Sequence, residues 1–492
     1  MEVPRKRLKE SDHECAWRAA SEALQIKVDA ADKRIAELER LFARRSEKRA
    51  KLPPISRAPR ATNEANAVRK ERAATRAGKL EVVEVTSHVD SADKRCAACG
   101  DPSFRAVGTG KSSEILHYVQ GHFRKHVTHR ETLACRCGET LVTAAAPERW
   151  STHTQYASSF VAYLVTQKCA ASMPLYRLES MFTQLGIPVA RSTMNELFHR
   201  AAATLEPLRD TLFQVLRSDA LVHIDETSFK MTLQKKRSQM WCFVGDKLTG
   251  YTFDLSRSST VPVAILGASK GTFVADDYAG YDALAKLGGR IRSGCMAHAR
   301  RGFFEAGDVP EANAAMAIIQ ALYGVEHEAQ RCEILGTAAH AALRKTHSMP
   351  MFCALMRMAH HTMQVHGPKT LLGKAARYAW TNLRELSRFL RNPALPLDNN
   401  RAENALRIVA VGRKNFLFVH SKKSGEALAL LYSLTTSCAR LGVNPLDYLA
   451  DVLDRIEDTK VVDLRDLLPD RWKPRKTIAP RDELDSRNTS SS

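Results

Sequence analysis

Leu221-Val222-His223-Ile224-Asp225-Glu226-Thr227 runs an apolar stretch directly into a pair of carboxylates, and Thr272-Phe273-Val274-Ala275-Asp276-Asp277-Tyr278 repeats the arrangement. Each reads as a buried strand that ends on an acid, over Ala220–Asp225 and Gly271–Ala275. Between them, Met240–Gly245 and Tyr251–Leu255 read as two more strands joined by a turn at Asp246–Gly250, followed by a helical stretch near Val261–Ala268. A carboxylate at the end of a buried strand is costly unless it is paired or holds a cation. Strand alternation sends Asp225 and Glu226 to opposite faces, so only one of them can enter a shared site; Asp276 and Asp277 pose the same choice. A third acid, Glu403, falls in the first turns of a helix that begins after Pro396-Leu-Asp-Asn. Two strand-end carboxylates and one on a helix can hold two Mg²⁺ ions about 3.5–4 Å apart. Mg²⁺ is hard and takes oxygen ligands, which accounts for acids here rather than thiols or imidazoles. Each acid also has a plainer explanation: a turn residue at a strand end, or, for Glu403, a helical ion pair with Arg407 four residues on.

The surroundings suit a polyanionic partner. The 492 residues include 74 Lys and Arg against 54 Asp and Glu, a net charge of +20, and neutralising phosphates releases counterions. Hydrophobic residues make up 44% of the chain, which excludes a disordered protein and supports several folded units. No apolar run approaches the roughly 18 residues of a membrane span, and MEVPRKRLKESDHE has no apolar stretch behind its basic residues, so neither a membrane anchor nor a secretory signal is expected. Eleven cysteines thinly spread over such a length argue for free thiols and a metal site in a reducing, cytoplasmic setting, not for a disulfide framework.

Toward the N-terminus, Leu24, Val28, Ala31, Ile35, Leu38 and Phe42 alternate spacings of four and three; residues 1–50 read as a short coiled coil or an amphipathic helix. Residues 44–80 hold twelve basic residues against Glu47, Glu64 and Glu71, with Pro53, Pro54 and Pro59, so 51–80 reads as a basic linker, either lying along DNA or a solvated tether. In 81–145, Cys96-Ala-Ala-Cys99 and Cys135-Arg-Cys137 flank two alternating stretches, Glu114–Val119 and Phe123–Thr128. That is the layout of a zinc ribbon with four thiolates around Zn²⁺, in which His126 or His129 could replace a cysteine; a small β-unit with reduced thiols is the alternative. Residues 146–217 are helical. Met173–Pro188 and the segment from Arg191 read as helix, turn and helix capped by Ser192 or Thr193, either a DNA-reading pair or an ordinary one. Residues 297–395 are helical again; Gly425–Ala439 reads as a buried helix, Asn444–Ile456 as an amphipathic one, and 473–492 as a disordered tail. Cys295 and His298 have C-x-x-H spacing beside Arg300 and Arg301, but no further ligand is near them in sequence, which favours a structural or DNA-proximal role. Arg413 and Lys414 read as phosphate contacts or as a solvated basic turn.

The chain resembles the large transposase of the insertion sequence 66 family of bacterial mobile elements. The resemblance is carried by Asp398-Asn-Asn-Arg-Ala-Glu403-Asn-Ala-Leu-Arg407, Gly412-Arg-Lys-Asn-Phe-Leu-Phe, Ser424-Gly-Glu, Leu431-Tyr-Ser-Leu and Gly442-Val-Asn-Pro. Upstream it includes Asp225-Glu-Thr, Asp276-Asp-Tyr-Ala-Gly-Tyr, Cys295-Met-Ala-His298-Ala-Arg-Arg, Met173-Pro-Leu-Tyr-Arg, Arg191-Ser-Thr, the cysteine pairs and Leu41-Phe-Ala-Arg-Arg-Ser-Glu-Lys, in order over almost the whole chain. It implies a multidomain α/β protein whose RNase H-like mixed-sheet core (218–296 and 396–440) carries the 297–395 helical insertion, with a C-terminal helical region at 441–472. It also implies a D-D-E transposase using Mg²⁺ or Mn²⁺, with Asp225 as first acid, Asp276 as second and Glu403 as third. Asp277 stands where the family usually has glycine and could share or take the second role; Met296 stands where tryptophan is common, and the second cysteine pair is shortened. The 127 positions from Asp276 to Glu403 exceed a minimal core and match the helical reading of 297–395. Expected partners are the element's terminal inverted repeats and target DNA near the nucleoid, other copies of the chain, and accessory proteins of the same element. A transposase-derived DNA-binding regulator without catalysis is the rival reading, and a resolvase-type nuclease on the same fold a third.

Overall fold

The computed structural model describes residues 154–232 and 238–475 throughout, together with Phe123, Lys125, Val127 and residues 129–134, 141–143 and 150–151. All of these belong to the second of two compact units, Val119–Ser492. The N-terminal helix of 1–50, the 51–80 linker, Cys96, Cys99, Cys135, Cys137, His126 and the tail beyond residue 475 lie outside the described residues.

Two short strands, β1 (Thr132–Ala134) and β2 (Leu141–Thr143), pair antiparallel on either side of the segment that contains Cys135 and Cys137. Phe123, Lys125 and Val127, expected in a strand, are irregular instead. The reason is visible at Phe123: its ring packs on Phe160, Tyr163 and Phe182 at centroid distances of 5.4–6.2 Å, so it belongs to the helical core.

Four helices follow: α1 (Ser158–Cys169), α2 (Leu175–Gln184), α3 (Arg191–Thr204) and α4 (Pro207–Ser218). The start of α3 differs from the sequence expectation. Its N-cap is Ala190 and Ser192 and Thr193 lie inside the helix, because Glu179 of α2 accepts from the Arg191 amide at 3.3 Å and ion-pairs with the Arg191 guanidinium at 2.8 Å.

The centre is a five-stranded mixed sheet of order β5-β4-β3-β6-β7. Strands β3 (Leu221–Phe229), β4 (Ser238–Val244) and β5 (Thr249–Asp254) form an antiparallel meander; β6 (Gly271–Val274) and β7 (Arg290–Ser293) run parallel to β3, with α5 (Thr260–Leu266) and α6 (Asp282–Lys286) in the crossovers. Asp225 does not end its strand. The partnership with β4 continues to Phe229–Ser238, while that with β6 stops at His223–Val274, so Asp225 stands just past the end of the parallel pairing. Strand β7 carries no apolar signal, since Arg290-Ile-Arg-Ser buries both arginines. Arg290 donates to the carbonyls of Arg217 and Asp219 at 2.9 Å each, satisfying the C-terminal end of α4.

After β7 come α7 (Met296–Glu305), α8 (Pro310–Arg331), α9 (Ala338–Leu343), α10 (Met349–Val365), α11 (Leu371–Thr381) and α12 (Leu383–Leu386), which bury a core of their own that includes Phe303, Ile319, Leu322, Leu355 and Ala376. Arg344 staples this bundle, donating to both Glu326 oxygens and to the carbonyls of Phe389, Asn392 and Leu395.

The chain then returns to the sheet as α13 (Asn400–Asn415), α14 (Lys422–Arg440) and α15 (Pro445–Arg455). One face of the sheet meets α4 through Phe213, whose ring lies 5.9 Å from Phe243. The opposite face, which carries His223, Asp225 and Thr227, meets α13: the Tyr251 hydroxyl donates to the Ala405 carbonyl at 2.7 Å. Helix α14 seals the β5 edge, where Ser433 and Ser437 Oγ accept the Tyr251 and Thr249 amides at 2.7 and 2.9 Å. Gly425 permits that approach, because a Cβ there would fall 2.3 Å from Phe253.

Candidate active site

Register aligns the acids. His223 pairs with Val274 and Val274 with Ser293 in the last row of the parallel pairing, and Asp225, Asp276 and Cys295 each lie two residues beyond that row. Asp225 is largely buried, and its Oδ1 accepts the Glu226 amide at 2.8 Å. Burial first, then the neighbouring charges of Glu226, Asp276 and Glu403, push its carboxyl up to about 7. Three acids thus converge electrostatically on one buried carboxyl.

Neighbouring contacts separate the paired candidates. The Glu226 side chain, only 2% exposed, is bound by Arg257 and by the Tyr281 hydroxyl. Arg257 in turn stacks on the Tyr278 ring at 3.8 Å. Asp277 is exposed and ion-pairs with Arg292 at 2.9 Å. Asp276 keeps its side chain in the loop, with Oδ1 accepting the Tyr278 amide at 3.0 Å, while Arg292 holds its carbonyl at 2.8 Å. Arg292 therefore fixes the position of Asp276 through the backbone, a function that its place in an unrecognised strand concealed.

Glu403 arrives from α13, whose entry is set by Asn399. That residue is 1% exposed and ties the start of α13 to β3 and to the start of α7. Its Nδ2 donates to the Ile224 carbonyl at 2.7 Å, its Oδ1 faces His223 Nδ1 at 3.0 Å, and its backbone amide donates to Cys295 Sγ at 3.2 Å. With Nδ2 committed as donor, Oδ1 must accept, which puts the His223 proton on Nδ1; burial lowers that imidazole to about 4 and keeps it neutral. The Glu403 amide bonds the Asn399 carbonyl at 3.2 Å, so the acid sits one turn from this anchor.

The Glu403 carboxylate points toward α7 and not along its own helix to Arg407: Oε1 lies 3.9 Å from His298 Nδ1 and Oε2 3.7 Å from the Arg301 guanidinium. Cys295, His298 and Glu403 offer ligand atoms that all lie within 4.8 Å of one another. Cys295 and His298 thus have a third potential ligand that local sequence did not reveal. Burial pushes the Cys295 thiol up to about 11.

The basic candidates diverge. Arg300, Arg301 and Lys414 are exposed. Arg413 turns inward, with Nη1 donating to Thr227 Oγ1 at 2.7 Å and to the Ser228 carbonyl at 2.6 Å, and so ties the far end of α13 to β3. His129 is exposed.

Comparison with known proteins agrees with this architecture. Residues 153–427 match the Transposase IS66 family, residues 433–469 the IS66 C-terminal element, and residues 93–138 the zinc-finger binding domain of transposase IS66. Three uncharacterized proteins of Sinorhizobium fredii are similar over most of their length. One, y4jD, is 31% identical over 412 residues, 78% of this chain and 79% of its own. Another, y4qI, is 28% identical over 74% of this chain and 71% of its own, and y4hP is 26% identical over 77% and 73%. The chain belongs to the Transposase IS66 family. The zinc-finger match contains Cys96, Cys99, Cys135 and Cys137, and among the described residues no helix is long and apolar enough to cross a membrane.

Proposed function

We propose that this member of the transposase family cleaves the ends of a bacterial insertion sequence and transfers the freed 3′-hydroxyl strand into target DNA, using Asp225, Asp276 and Glu403 on an RNase H-like core. The observation that carries the reading is the convergence on the parallel strands. Asp225 and Asp276 each follow the last paired row of β3 and β6 by two residues, the charges of Asp276 and Glu403 both act on Asp225, and Asn399 ties the start of the Glu403 helix to β3. The sheet order, three antiparallel strands followed by two parallel ones, supports the RNase H-like assignment.

The residues fit hard divalent cations. Asp225 is raised by burial and three nearby acids, and Glu403 Oε1 is buried without a hydrogen-bond partner. Mg²⁺ or Mn²⁺ bound there would supply the charge that activates the attacking oxygen and stabilises the leaving one in an in-line displacement. The work of the protein is positional. Asp225 holds its carboxylate through the Glu226 amide, Arg292 clamps the Asp276 backbone, and Asn399 sets the reach of Glu403. Asp276 serves as second acid in preference to Asp277, whose carboxylate is engaged by Arg292; Glu226 is likewise engaged by Arg257 and Tyr281.

Cys96, Cys99, Cys135 and Cys137 are proposed to hold a structural Zn²⁺ in the zinc-finger domain, which with exposed Arg300, Arg301 and Lys414 would contact terminal repeats and target DNA. Joining two ends calls for more than one copy of the chain, and accessory proteins of the element are further proposed partners.

The deciding experiment compares the wild type with Glu403→Gln on DNA carrying the element's end, with Mg²⁺ and the element's other proteins. Binding by both and cutting by the wild type alone is expected, with a loss beyond the roughly 10–100-fold that removal of an outer-shell partner costs. Equal cutting by both removes Glu403 from the site. Binding without cutting by either makes the chain a DNA-binding regulator.

A further inference from the structure

Two buried polar atoms face each other beside Glu403 with no hydrogen bond between them. His298 Nδ1 and Glu403 Oε1 both lack a partner, and at 3.9 Å they are too far apart to satisfy one another. Orphaned acceptors in a native interior call for an unseen occupant, either water or a cation. The third wall of the gap is sulfur. Cys295 is the N-cap of α7, and its Sγ accepts the Asn399 backbone amide at 3.2 Å. That bond fixes the sulfur at the mouth of the gap. The C-x-x-H spacing puts Sγ and the imidazole on one turn, and Glu403 closes the set from a different helix, all ligand atoms lying within 4.8 Å.

We propose that Cys295, His298 and Glu403 form a second cation site, separate from the zinc-finger cysteines and suited to a thiophilic divalent ion of the zinc class. A sulfur, an imidazole nitrogen and one carboxylate are the donors of a borderline-soft ion and are poor ligands for Mg²⁺. Three protein ligands leave a fourth position for water or a substrate oxygen, the pattern of an open zinc site. The ligand atoms lie wider apart than in a closed zinc shell, and Glu403 is able to move inward: its other neighbour, Arg301, is exposed and releases it at little cost. Occupancy has a consequence that rests on the reading of Glu403 given above. An ion held by Cys295 and His298 takes the carboxylate that Mg²⁺ would share with Asp225 and Asp276, so zinc-class ions antagonise strand cleavage.

The test uses the full-length chain, stripped of metal and titrated with Co²⁺ as spectroscopic probe, comparing wild type, Cys295→Ser and His298→Ala. Each variant is expected to bind one Co²⁺ fewer per chain and to lose the absorbance of a single-thiolate site, while the four-thiolate signal of the zinc finger persists. His298 has a side chain 24% exposed, so its truncation decides the matter even where Cys295→Ser fails to fold. Identical stoichiometry and spectra in wild type and His298→Ala overturn the proposal. Cleavage with Mg²⁺ is then measured while Zn²⁺ is added. Loss of at least tenfold in the wild type, absent from His298→Ala relative to its own rate, supports the shared carboxylate. A wild type that binds Co²⁺ with one fewer in the variants, yet cuts undiminished by Zn²⁺, keeps the site and refutes the assignment of Glu403 to the Mg²⁺ pair.

Discussion

Replacing Asp225 by Asn should stabilise the protein at neutral and alkaline pH, although it removes a proposed cation ligand. The folded carboxyl is raised from 3.8 to about 7, chiefly by burial and then by Glu226, Asp276 and Glu403. At 1.36 kcal/mol per unit, holding Asp225 ionised at pH 8 costs the folded state about 4 kcal/mol, to order of magnitude. Asn keeps the oxygen that accepts the Glu226 amide and carries no charge, so it escapes this cost. The direction with pH follows from the raised value. The folded chain binds the extra proton between about 4 and 7, so wild-type stability declines as pH rises through that window and levels off above it. Urea unfolding at a series of pH values, without added divalent cation, should show Asp225→Asn ahead by about 4 kcal/mol at pH 8 and by under about 1 kcal/mol at pH 4. Adding Mg²⁺ at a hundred times its dissociation constant should return about 2.7 kcal/mol to the wild type and almost nothing to the variant. A gap independent of pH would refute the buried-carboxyl argument. A gap that varies with pH but ignores Mg²⁺ would refute the cation site while leaving the burial intact.

Two further expectations are less elaborate. Asn399→Ala should cost about 1–3 kcal/mol in urea unfolding, because it leaves the buried Ile224 carbonyl and His223 without partners, and should lower cleavage roughly 10–100-fold with DNA binding retained in a gel-shift assay. Leu355→Ala, in the core of the inserted helices, should lower the melting transition through a loss of about 2–5 kcal/mol while cleavage measured below that transition survives.

What the sequence made legible was whatever depends on neighbours along the chain. The apolar runs of β3, β4, β5 and β6 stand out, and so do the helices α14 and α15. Strand β7 does not, because Arg290 and Arg292 occupy positions where strand patterning expects apolar side chains. Their burial makes sense only once the end of α4 and the Asp276 loop are seen beside them. The end of β3 is hidden for the opposite reason: Glu226-Thr-Ser carries no apolar signal, yet β4 holds it in register. At the site, the three acids were recognisable as residue types, but what joins them was not. Asn399 reaches His223 across 176 positions and Cys295 across 104, and no local signal distinguishes it from its neighbour Asn400.

The same long-range bonds explain how a bundle of helices can interrupt the central sheet without disturbing it. The chain leaves the sheet at Cys295 and re-enters at Leu397, and these two points are bonded to one another: the Met296 amide donates to the Leu397 carbonyl at 2.9 Å, and the Asn399 amide to Cys295 Sγ. Entry and exit therefore form a closed neck, and the residues between them fold around a core that shares no buried side chain with the core beneath the sheet. Because closing a loop costs little more as it lengthens, the insertion can be large at small entropic expense once the neck is formed. The neck also places both helix starts, α7 and α13, side by side, next to the carboxyl end of β7 and the middle of β3. Cys295, His298 and Glu403 meet at this junction beside Asp225 and Asp276, so the element that closes the insertion is also the one that assembles the site.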